Sequence, residues 1–158
     1  MARLKPGDKA PAFKLPDQKE NMVTLLDFRG QRLLLYFYPK ADTPGCTKQA
    51  CNVRDALSDL ADRGLAVVGV SPDAPDRQAK FDRKHSLGFP LLSDPDHKVA
   101  DAYGVWGEKS MYGKKYQGII RSSFLINEKG TIIQAWYKVS PADTVPKALA
   151  ALAAHAGT

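Results

Sequence analysis

The sequence has few cysteines and no apolar run of membrane-spanning length. Cys46 and Cys51 are the only cysteines among 158 residues, too few for the disulfide framework of a small secreted domain. The longest apolar runs, Leu33–Tyr38 and Ala148–Ala154, are far shorter than the roughly 20 residues of a transmembrane helix. No apolar stretch follows the basic residues near the start, so we expect no signal peptide. These absences predict a soluble protein, without membrane contacts, in the cytoplasm.

The composition is that of one folded domain. With 44% hydrophobic and 25% charged residues, the chain can bury a core, and we expect a single domain over residues 1–158. The net charge of +6 is able to attract nucleic acid. However, the densest basic group, Lys109, Lys114 and Lys115, lies in a glycine-rich stretch without a nucleic-acid-binding motif. An ordinary basic surface is therefore the preferred interpretation, with nucleic-acid binding as the weaker alternative.

Alternating apolar runs and amphipathic segments predict an α/β fold. Pro6–Pro16, punctuated by proline, is predicted as extended coil, and Gly104–Gly118, with four glycines, as a loop. The predicted strands are Val23–Leu25, Arg32–Tyr38, Leu65–Ser71, Leu91–Ser93, Arg121–Ile126 and Thr131–Tyr137. The predicted helices are Cys46–Arg63, Asp73–His85, Asp96–Tyr103 and Pro141–His155. This order predicts a thioredoxin-like arrangement, in which helices flank a central mixed β-sheet.

Cys46 is predicted to lie in the first turn of a helix, after a buried strand and a loop. Free backbone N–H groups and the positive end of the helix dipole favour the thiolate there, and the thiolate is the nucleophilic form of cysteine. On a helical wheel, the stripe that contains Cys46 consists of Cys46, Ala50, Val53, Leu57, Leu60 and Ala61. Cys51 points about 140° away from Cys46 on that wheel. The sequence therefore predicts an activated thiol at Cys46.

The spacing of the two cysteines restricts how they can react with each other. Five residues along an ideal helix separate two Cα atoms by about 8 to 9 Å, whereas a disulfide needs them within about 7 Å. Cys46 and Cys51 can therefore bridge only if the first turns of the helix unwind. The spacing alone is equally compatible with Cys51 as an inert helix residue.

Several established cysteine chemistries do not fit the sequence. Four residues separate Cys46 and Cys51, so the Cys-x-x-Cys motif of thioredoxin-type oxidoreductases is missing. A cysteine phosphatase would need an arginine six residues after its cysteine, and Asn52 and Leu57 stand at those positions. Neither a phosphate-binding P-loop nor zinc-site spacing of cysteine and histidine is found. We therefore expect neither a metal ion nor another cofactor.

The loop before the helix carries a specific motif. The segment Pro39-Lys40-Ala41-Asp42-Thr43-Pro44-Gly45-Cys46 has the pattern Pro-x-x-x-Thr/Ser-x-x-Cys and continues to Gln49-Ala50-Cys51. It resembles the active site of peroxiredoxins, and its residues are similar to those of the peroxiredoxin Q group, also called bacterioferritin comigratory proteins. Further similar segments are Pro6–Asp8, Leu92–Asp94, Tyr103–Gly107 and Arg121–Ile126. The resemblance therefore covers nearly the whole chain.

The resemblance implies a role for each residue of the motif. Cys46 would be the peroxidatic cysteine, whose thiolate attacks a peroxide and becomes a sulfenic acid. Thr43 would supply a hydroxyl to the thiolate or the peroxide, and Pro39 would shield the sulfur from water. Arg121 would favour the thiolate and orient the peroxide, while Gln49 would order that arginine. Arg54, on the helix near Cys46, is the second candidate for the guanidinium.

The resemblance also implies a catalytic cycle. Cys51 would be the resolving cysteine, as in the branch of the group that carries a cysteine at this position. Other members place it on the following helix, and the absence of a cysteine in Asp73–His85 strengthens the assignment. Thioredoxin would then reduce the resulting disulfide. The leading hypothesis is a monomeric thiol peroxidase, and the alternative is a redox sensor that uses the same two cysteines to change shape for a partner. Tyr103 and Trp106 are predicted to serve packing rather than ligand binding.

Overall fold

The computed structural model describes residues 3–154, and its centre is a five-stranded sheet. The strands are β1 (Lys14–Pro16), β2 (Met22–Thr24), β3 (Arg32–Phe37), β4 (Leu65–Ser71), β5 (Leu91–Ser93), β6 (Trp106–Met111), β7 (Lys114–Ile119), β8 (Ser122–Ile126) and β9 (Ile132–Trp136). The helices are α1 (Pro44–Asp62), α2 (Pro75–His85), α3 (Lys98–Ala102) and α4 (Thr144–Ala154). Between residues 3 and 154, no helix is both long and apolar enough to cross a membrane.

The central sheet is mixed, as the order of its elements predicts. Its strand order is β5-β4-β3-β8-β9, with β3, β4 and β5 parallel to one another and β8 and β9 antiparallel to their neighbours. Alternate side chains of β3 enter two different cores, because successive residues of a strand point to opposite faces. Leu34 and Tyr36 pack with α1, α2 and α4, whereas Leu35 and Phe37 pack on the face that α3 covers.

The buried side chains of helix α1 are those of the predicted stripe, with two exceptions. Cys46, Ala50, Val53 and Leu60 are buried and Leu57 is partly buried, as predicted. Ala61, by contrast, is exposed, although it shares the stripe and Leu60 beside it is fully buried. Gln49 is fully buried although it was not predicted on the stripe.

Gly104–Gly118 is not a loop but contains most of an antiparallel hairpin. Strands β6 and β7 pair over their full length, with Gly107 opposite Gly118. The two residues of the connecting turn, Tyr112 and Gly113, both have positive φ angles, 53° and 78°. Two positive φ angles belong to the tight turns that match the twist of a hairpin. Because Tyr-Gly is not the usual sequence for such a turn, composition alone predicts a loop.

The remaining differences concern short elements and boundaries. Pro6–Pro16 is not all coil, since β1 pairs with β2 as a small separate sheet. The helices α2, α3 and α4 are shorter than predicted, and Pro141–Asp143 forms a 3₁₀ turn before α4. The predicted end of that last helix, His155, lies outside the described residues. Arg121 directly precedes β8 rather than belonging to it.

A buried polar network attaches α2 to the sheet. The Tyr38 hydroxyl donates to Gln78 Oε1 at 2.5 Å, and Gln78 Nε2 donates both to Ser71 Oγ and to the Leu92 carbonyl at 2.9 Å. Gln78 is fully buried, so all of its polar atoms depend on partners within the protein. The network also lies next to the loop before α1, because Ser71 Oγ donates to an Asp73 carboxylate oxygen that accepts the Ala41 N–H.

We predict that Gln78→Met destabilises the protein by about 2 to 3 kcal/mol, because it leaves a buried hydroxyl and a buried carbonyl without their partners. Urea unfolding at pH 7 measures this loss. Lys80→Met, on the exposed side of the same helix, is the matched control and should change the free energy of unfolding by less than about 0.5 kcal/mol. Equal stability of the two variants would show that the network contributes nothing.

Candidate active site

Cys46 lies in the first turn of α1 and is almost completely buried. Its side chain is 2% exposed, and α1 begins two residues earlier, at Pro44. The first hydrogen bond of the helix runs from the Thr47 N–H to the Thr43 carbonyl. The free N–H groups of this turn and the dipole of a 19-residue helix favour negative charge at the sulfur.

Arg121 is the cation that the fold brings to this sulfur. Its Nη2 donates to Cys46 Sγ at 3.3 Å. Strand pairing accounts for the contact, since Phe37 at the end of β3 lies opposite Ser122 at the start of β8. Arg121 directly precedes Ser122 and therefore lies beside the loop that leads from β3 into α1. A permanent positive charge at this distance stabilises a thiolate.

Gln49 and Thr144 hold the guanidinium in place. Arg121 Nη1 donates to Gln49 Oε1 at 2.5 Å, and Gln49 Nε2 donates to Thr144 Oγ1 at 2.8 Å. Gln49 and Thr144 are both buried, so the orientation of the amide is determined by these two partners. One continuous chain of hydrogen bonds thus joins four side chains, in the order Cys46, Arg121, Gln49 and Thr144. Sequence reasoning missed Thr144, because no local pattern connects the start of α4 with α1.

Gly45 provides room for Arg121. A Cβ atom at this position would lie 3.3 Å from Arg121 Nη2 and 3.6 Å from Pro141 Cγ. The first of these distances is tighter than most Cβ contacts, so any side chain would push the guanidinium away from its position. The absence of a side chain in the motif therefore allows the close approach of helix and arginine.

Thr43 and Pro39 border the site, and neither has a hydrogen bond to Cys46 among the described residues. The Thr43 hydroxyl donates to the Lys40 carbonyl at 2.8 Å and does not cap α1. Pro39 is half-buried at the start of the loop. The roles that the resemblance implies for these two residues therefore stay predictions.

The loop before α1 is anchored to α2. Asp42, in the left-handed region at φ 62°, contacts Lys84 Nζ at 3.0 Å and His85 Nε2 at 3.3 Å. The hydrogen bond from Lys84, and then that from His85, lowers the pKa of Asp42. These contacts hold a strained residue four positions before Cys46.

Tyr36 of β3 and Tyr38, which follows the end of β3, belong to the same core cluster as Cys46. Burial raises the pKa of both Tyr36 and Tyr38 well above that of a free phenol, so both remain uncharged. The Cys46 sulfur contributes to each shift in the same direction. The Tyr36 hydroxyl has no hydrogen-bond partner among the described residues.

Cys51 is a free, half-buried thiol on the same helix as Cys46. Both cysteines lie within the continuous helix α1, whose geometry keeps their Cα atoms too far apart for a disulfide. Arg54 lies near Cys51 and not at Cys46: it donates to Asp55 and to the His85 carbonyl. The hydrogen bond to Asp55 raises the pKa of Arg54, with a smaller contribution from Cys51. The fold therefore brings Arg121, and not Arg54, to Cys46.

Tyr103 and Trp106 pack with the core cluster on the other face of the sheet from Cys46. The Tyr103 hydroxyl donates to the Pro11 carbonyl at 2.7 Å, and Trp106 stacks on His97 with ring centroids 3.7 Å apart. Among residues 3–154, no three side chains of His, Cys, Asp or Glu form a group suited to a metal ion.

We predict that Thr144→Val slows alkylation of Cys46 by iodoacetamide about threefold at pH 7, measured in a Cys51→Ser background. The substitution removes the acceptor that holds Gln49, so Arg121 loses its fixed position beside the sulfur. Thr131→Val, before β9 and remote from the site, should leave the rate unchanged. An unchanged rate in a folded Thr144→Val protein would show that Thr144 does not position the guanidinium.

Comparisons with known proteins agree with this geometry. Residues 6–135 match the AhpC/TSA family. Peroxiredoxin Bcp of Escherichia coli is 55% identical over 132 residues, which cover 84% of this chain and 85% of the relative. A peroxiredoxin Q structure from Xylella fastidiosa has a TM-score of 0.92 at 33% identity and 99% coverage of both chains. The prediction of a thioredoxin-like fold is thereby confirmed.

A further solved structure is that of the bacterioferritin comigratory protein of Xanthomonas campestris, which is described for its alkyl peroxide reduction activity. It has a TM-score of 0.85 at 38% identity and covers 90% of this chain, which spans 91% of that protein. Sequence family, relatives and structural neighbours therefore agree with the resemblance seen in the motif. The chain belongs to the AhpC/TSA family and is a peroxiredoxin of the Q, or Bcp, group.

Proposed function

We propose that this peroxiredoxin is a thioredoxin-dependent peroxidase that reduces hydrogen peroxide and organic hydroperoxides in antioxidant defence. The contact of Arg121 Nη2 with Cys46 Sγ, 3.3 Å long at the start of α1, carries the proposal. A guanidinium and a helix N-terminus both stabilise the thiolate that attacks peroxides. The alkyl peroxide reduction described for the Xanthomonas campestris relative supports organic hydroperoxides as substrates.

In the first step, the Cys46 thiolate attacks the terminal oxygen of the peroxide. A sulfur–oxygen bond forms as the oxygen–oxygen bond breaks, so that sulfur is oxidised to sulfenic acid and the peroxide is reduced. The leaving oxygen takes up a proton and departs as water or an alcohol. Negative charge grows on that oxygen, and Arg121 is a fixed donor close to it. Thr43 turns its hydroxyl from the Lys40 carbonyl to the bound peroxide.

In the second step, the Cys51 thiol attacks the sulfur of the Cys46 sulfenic acid. The disulfide bond forms, and the hydroxyl of the sulfenic acid leaves with the thiol proton as water. Because α1 keeps the two Cα atoms apart, its first turns must unwind before this step. Pro39 limits access of water to the sulfur in the meantime. Thioredoxin then reduces the disulfide by thiol–disulfide exchange.

The proposal includes a cytoplasmic, monomeric, single-domain protein. Two thiols that cycle with thioredoxin need a reducing compartment, which supports the cytoplasm. Among residues 3–154, the large apolar side chains that are exposed belong to two separate segments of the chain: they are Met22, Leu26, Met111, Tyr112 and Tyr116. This distribution supports a monomer.

One equivalent of hydrogen peroxide should remove both thiols of the reduced protein and lower its mass by about 2 Da, because one disulfide forms per chain. In Cys51→Ser, the same treatment should add oxygen to Cys46, and in Cys46→Ser it should leave the remaining thiol intact. Intact mass and a free-thiol count measure these outcomes. Slow or absent oxidation of Cys46 would contradict the proposal.

Turnover separates the peroxidase from the redox sensor. With thioredoxin, thioredoxin reductase and NADPH, an enzyme consumes many peroxide molecules per chain, whereas a sensor is oxidised once. We expect continued NADPH oxidation with the wild type and none above background with Cys46→Ser.

Oxidation should also reduce the helical circular dichroism by the signal of about two turns, because α1 unwinds around Cys46 and Cys51. Cys51→Ser, oxidised in the same way, should keep its spectrum, since it cannot form the disulfide. A disulfide confirmed by mass with an unchanged spectrum would show that α1 does not unwind.

A further inference from the structure

A groove lies between helix α2 and the loop that leads to Cys46, and its volume is about 530 Å³. Ala41 and Asp42 line it from the loop, and Phe81 lines it from the helix. The other lining side chains are all cationic: they are Arg77, Lys80, Arg83 and Lys84. This α2 groove therefore combines four positive charges with the single negative charge of Asp42.

The cations form a row along α2. Arg77, Lys80 and Lys84 follow one another at intervals of three and four residues, which places them on one face of the helix. Neither acidic residue of the helix, Asp76 or Asp82, lines the groove. Like charges at these intervals repel each other. A partner with carboxylates on its surface would remove this repulsion.

Two of the four cations hold the loop. Arg77 Nε contacts one carboxylate oxygen of Asp73 at 3.3 Å, and the other oxygen accepts the Ala41 N–H at 2.7 Å. Lys84 Nζ contacts Asp42 at 3.0 Å. The charges of Arg77 and Lys84 are thus used within the protein.

The other two cations, Lys80 and Arg83, are exposed. Within residues 3–154, neither of them forms an ion pair with an acidic side chain. At physiological salt, an exposed charge acts over a distance of about 8 Å. These two charges are therefore available to a partner that comes to the groove.

The end of α2 borders both sides of the segment that contains the two cysteines. His85 Nε2 contacts Asp42 at 3.3 Å, four residues before Cys46. The His85 carbonyl accepts a hydrogen bond from Arg54 Nη1 at 2.7 Å, three residues after Cys51. Helix α2 therefore forms one border of the surface at which a partner reaches a disulfide in this segment.

We propose that the α2 groove docks the protein that reduces the disulfide, and that the docking surface of this reductant is acidic. The proposal rests on the proposed cycle, in which Cys46 and Cys51 form that disulfide. A thiolate of the reductant attacks one of the two sulfurs, so that a mixed disulfide forms and the other sulfur leaves as a thiolate and takes up a proton. The second thiol of the reductant then releases the chain with both thiols reduced and itself becomes part of a disulfide. Lys80 and Arg83 take no part in the exchange but attract the partner, because complementary charges speed association.

Charge reversal at the two available cations tests this role and leaves the ion pairs of the loop in place. We expect Lys80→Glu/Arg83→Glu to lower the second-order rate constant for reduction of the disulfide by thioredoxin about tenfold at about 0.05 M salt. At about 0.5 M salt the difference should shrink to about twofold, because salt screens exposed charges. Reduction by dithiothreitol, which is small and neutral, should proceed at the wild-type rate. Free-thiol counts at timed intervals measure both reactions.

A matched control separates the groove from the net charge of the protein. Lys129→Glu/Lys147→Glu changes the net charge by the same amount at two exposed lysines, one in the turn between β8 and β9 and one on α4. Its rate with thioredoxin should stay within about twofold of the wild-type rate. Lys80→Gln/Arg83→Gln replaces the reversed variant if thermal unfolding shows that the latter is not folded.

Equal rates with thioredoxin in the wild type and the groove variant would overturn the proposal. An equal loss of rate in the control variant, or a matching loss with dithiothreitol, would overturn it as well. A wild-type disulfide that dithiothreitol reduces and thioredoxin does not would instead contradict the proposed function. Glutathione, an anionic thiol, then replaces thioredoxin, and equal rates in the wild type and the groove variant would show that the groove attracts no anionic reductant.

Discussion

The contact between the Arg121 guanidinium and the Cys46 sulfur is the interaction on which the rest of the site depends. It joins residues 75 positions apart, and only the pairing of β3 with β8 brings them together. Gln49 and Thr144 hold the guanidinium from the far side, and Gly45 leaves the space that it occupies. A buried sulfur without these neighbours would pack as a small apolar residue. The same atom is here in a position to be a nucleophile.

Local sequence predicts one half of this site and not the other. The loop, Cys46 and the helix after it are contiguous, so their arrangement follows from short-range rules for strands, prolines and helix starts. Arg121 was reached through resemblance to a family, since no spacing connects it with Cys46. Thr144 was not assigned any role. Its significance arises from a contact between distant segments, which exists only once the fold has assembled.

In the fold, too, some elements can be predicted from local sequence, whereas others depend on contacts between segments. The strands β3 and β4 are buried on both faces, so their continuous apolar runs are visible in the sequence. The strands β6 and β7 are largely exposed and polar, and Gly107 and Gly118 face each other across them. Such strands depend on pairing with each other and have no apolar pattern to reveal them. The burial of Gln49 and the exposure of Ala61 likewise differ from what the helical wheel predicts, because tertiary neighbours decide which part of α1 is covered.

Helix α1 begins without a side-chain cap, since the Thr43 hydroxyl is directed to the Lys40 carbonyl, and a cap is worth about 1 kcal/mol. Its middle and end are anchored by Val53 and Leu60, which are fully buried. Its start is held by contacts with other elements instead, because Cys46 and Gln49 are buried and hydrogen-bonded to Arg121, and Gln49 also to Thr144. The end of α1 that holds Cys46 is therefore fixed in place by side chains from distant segments rather than by a cap of its own.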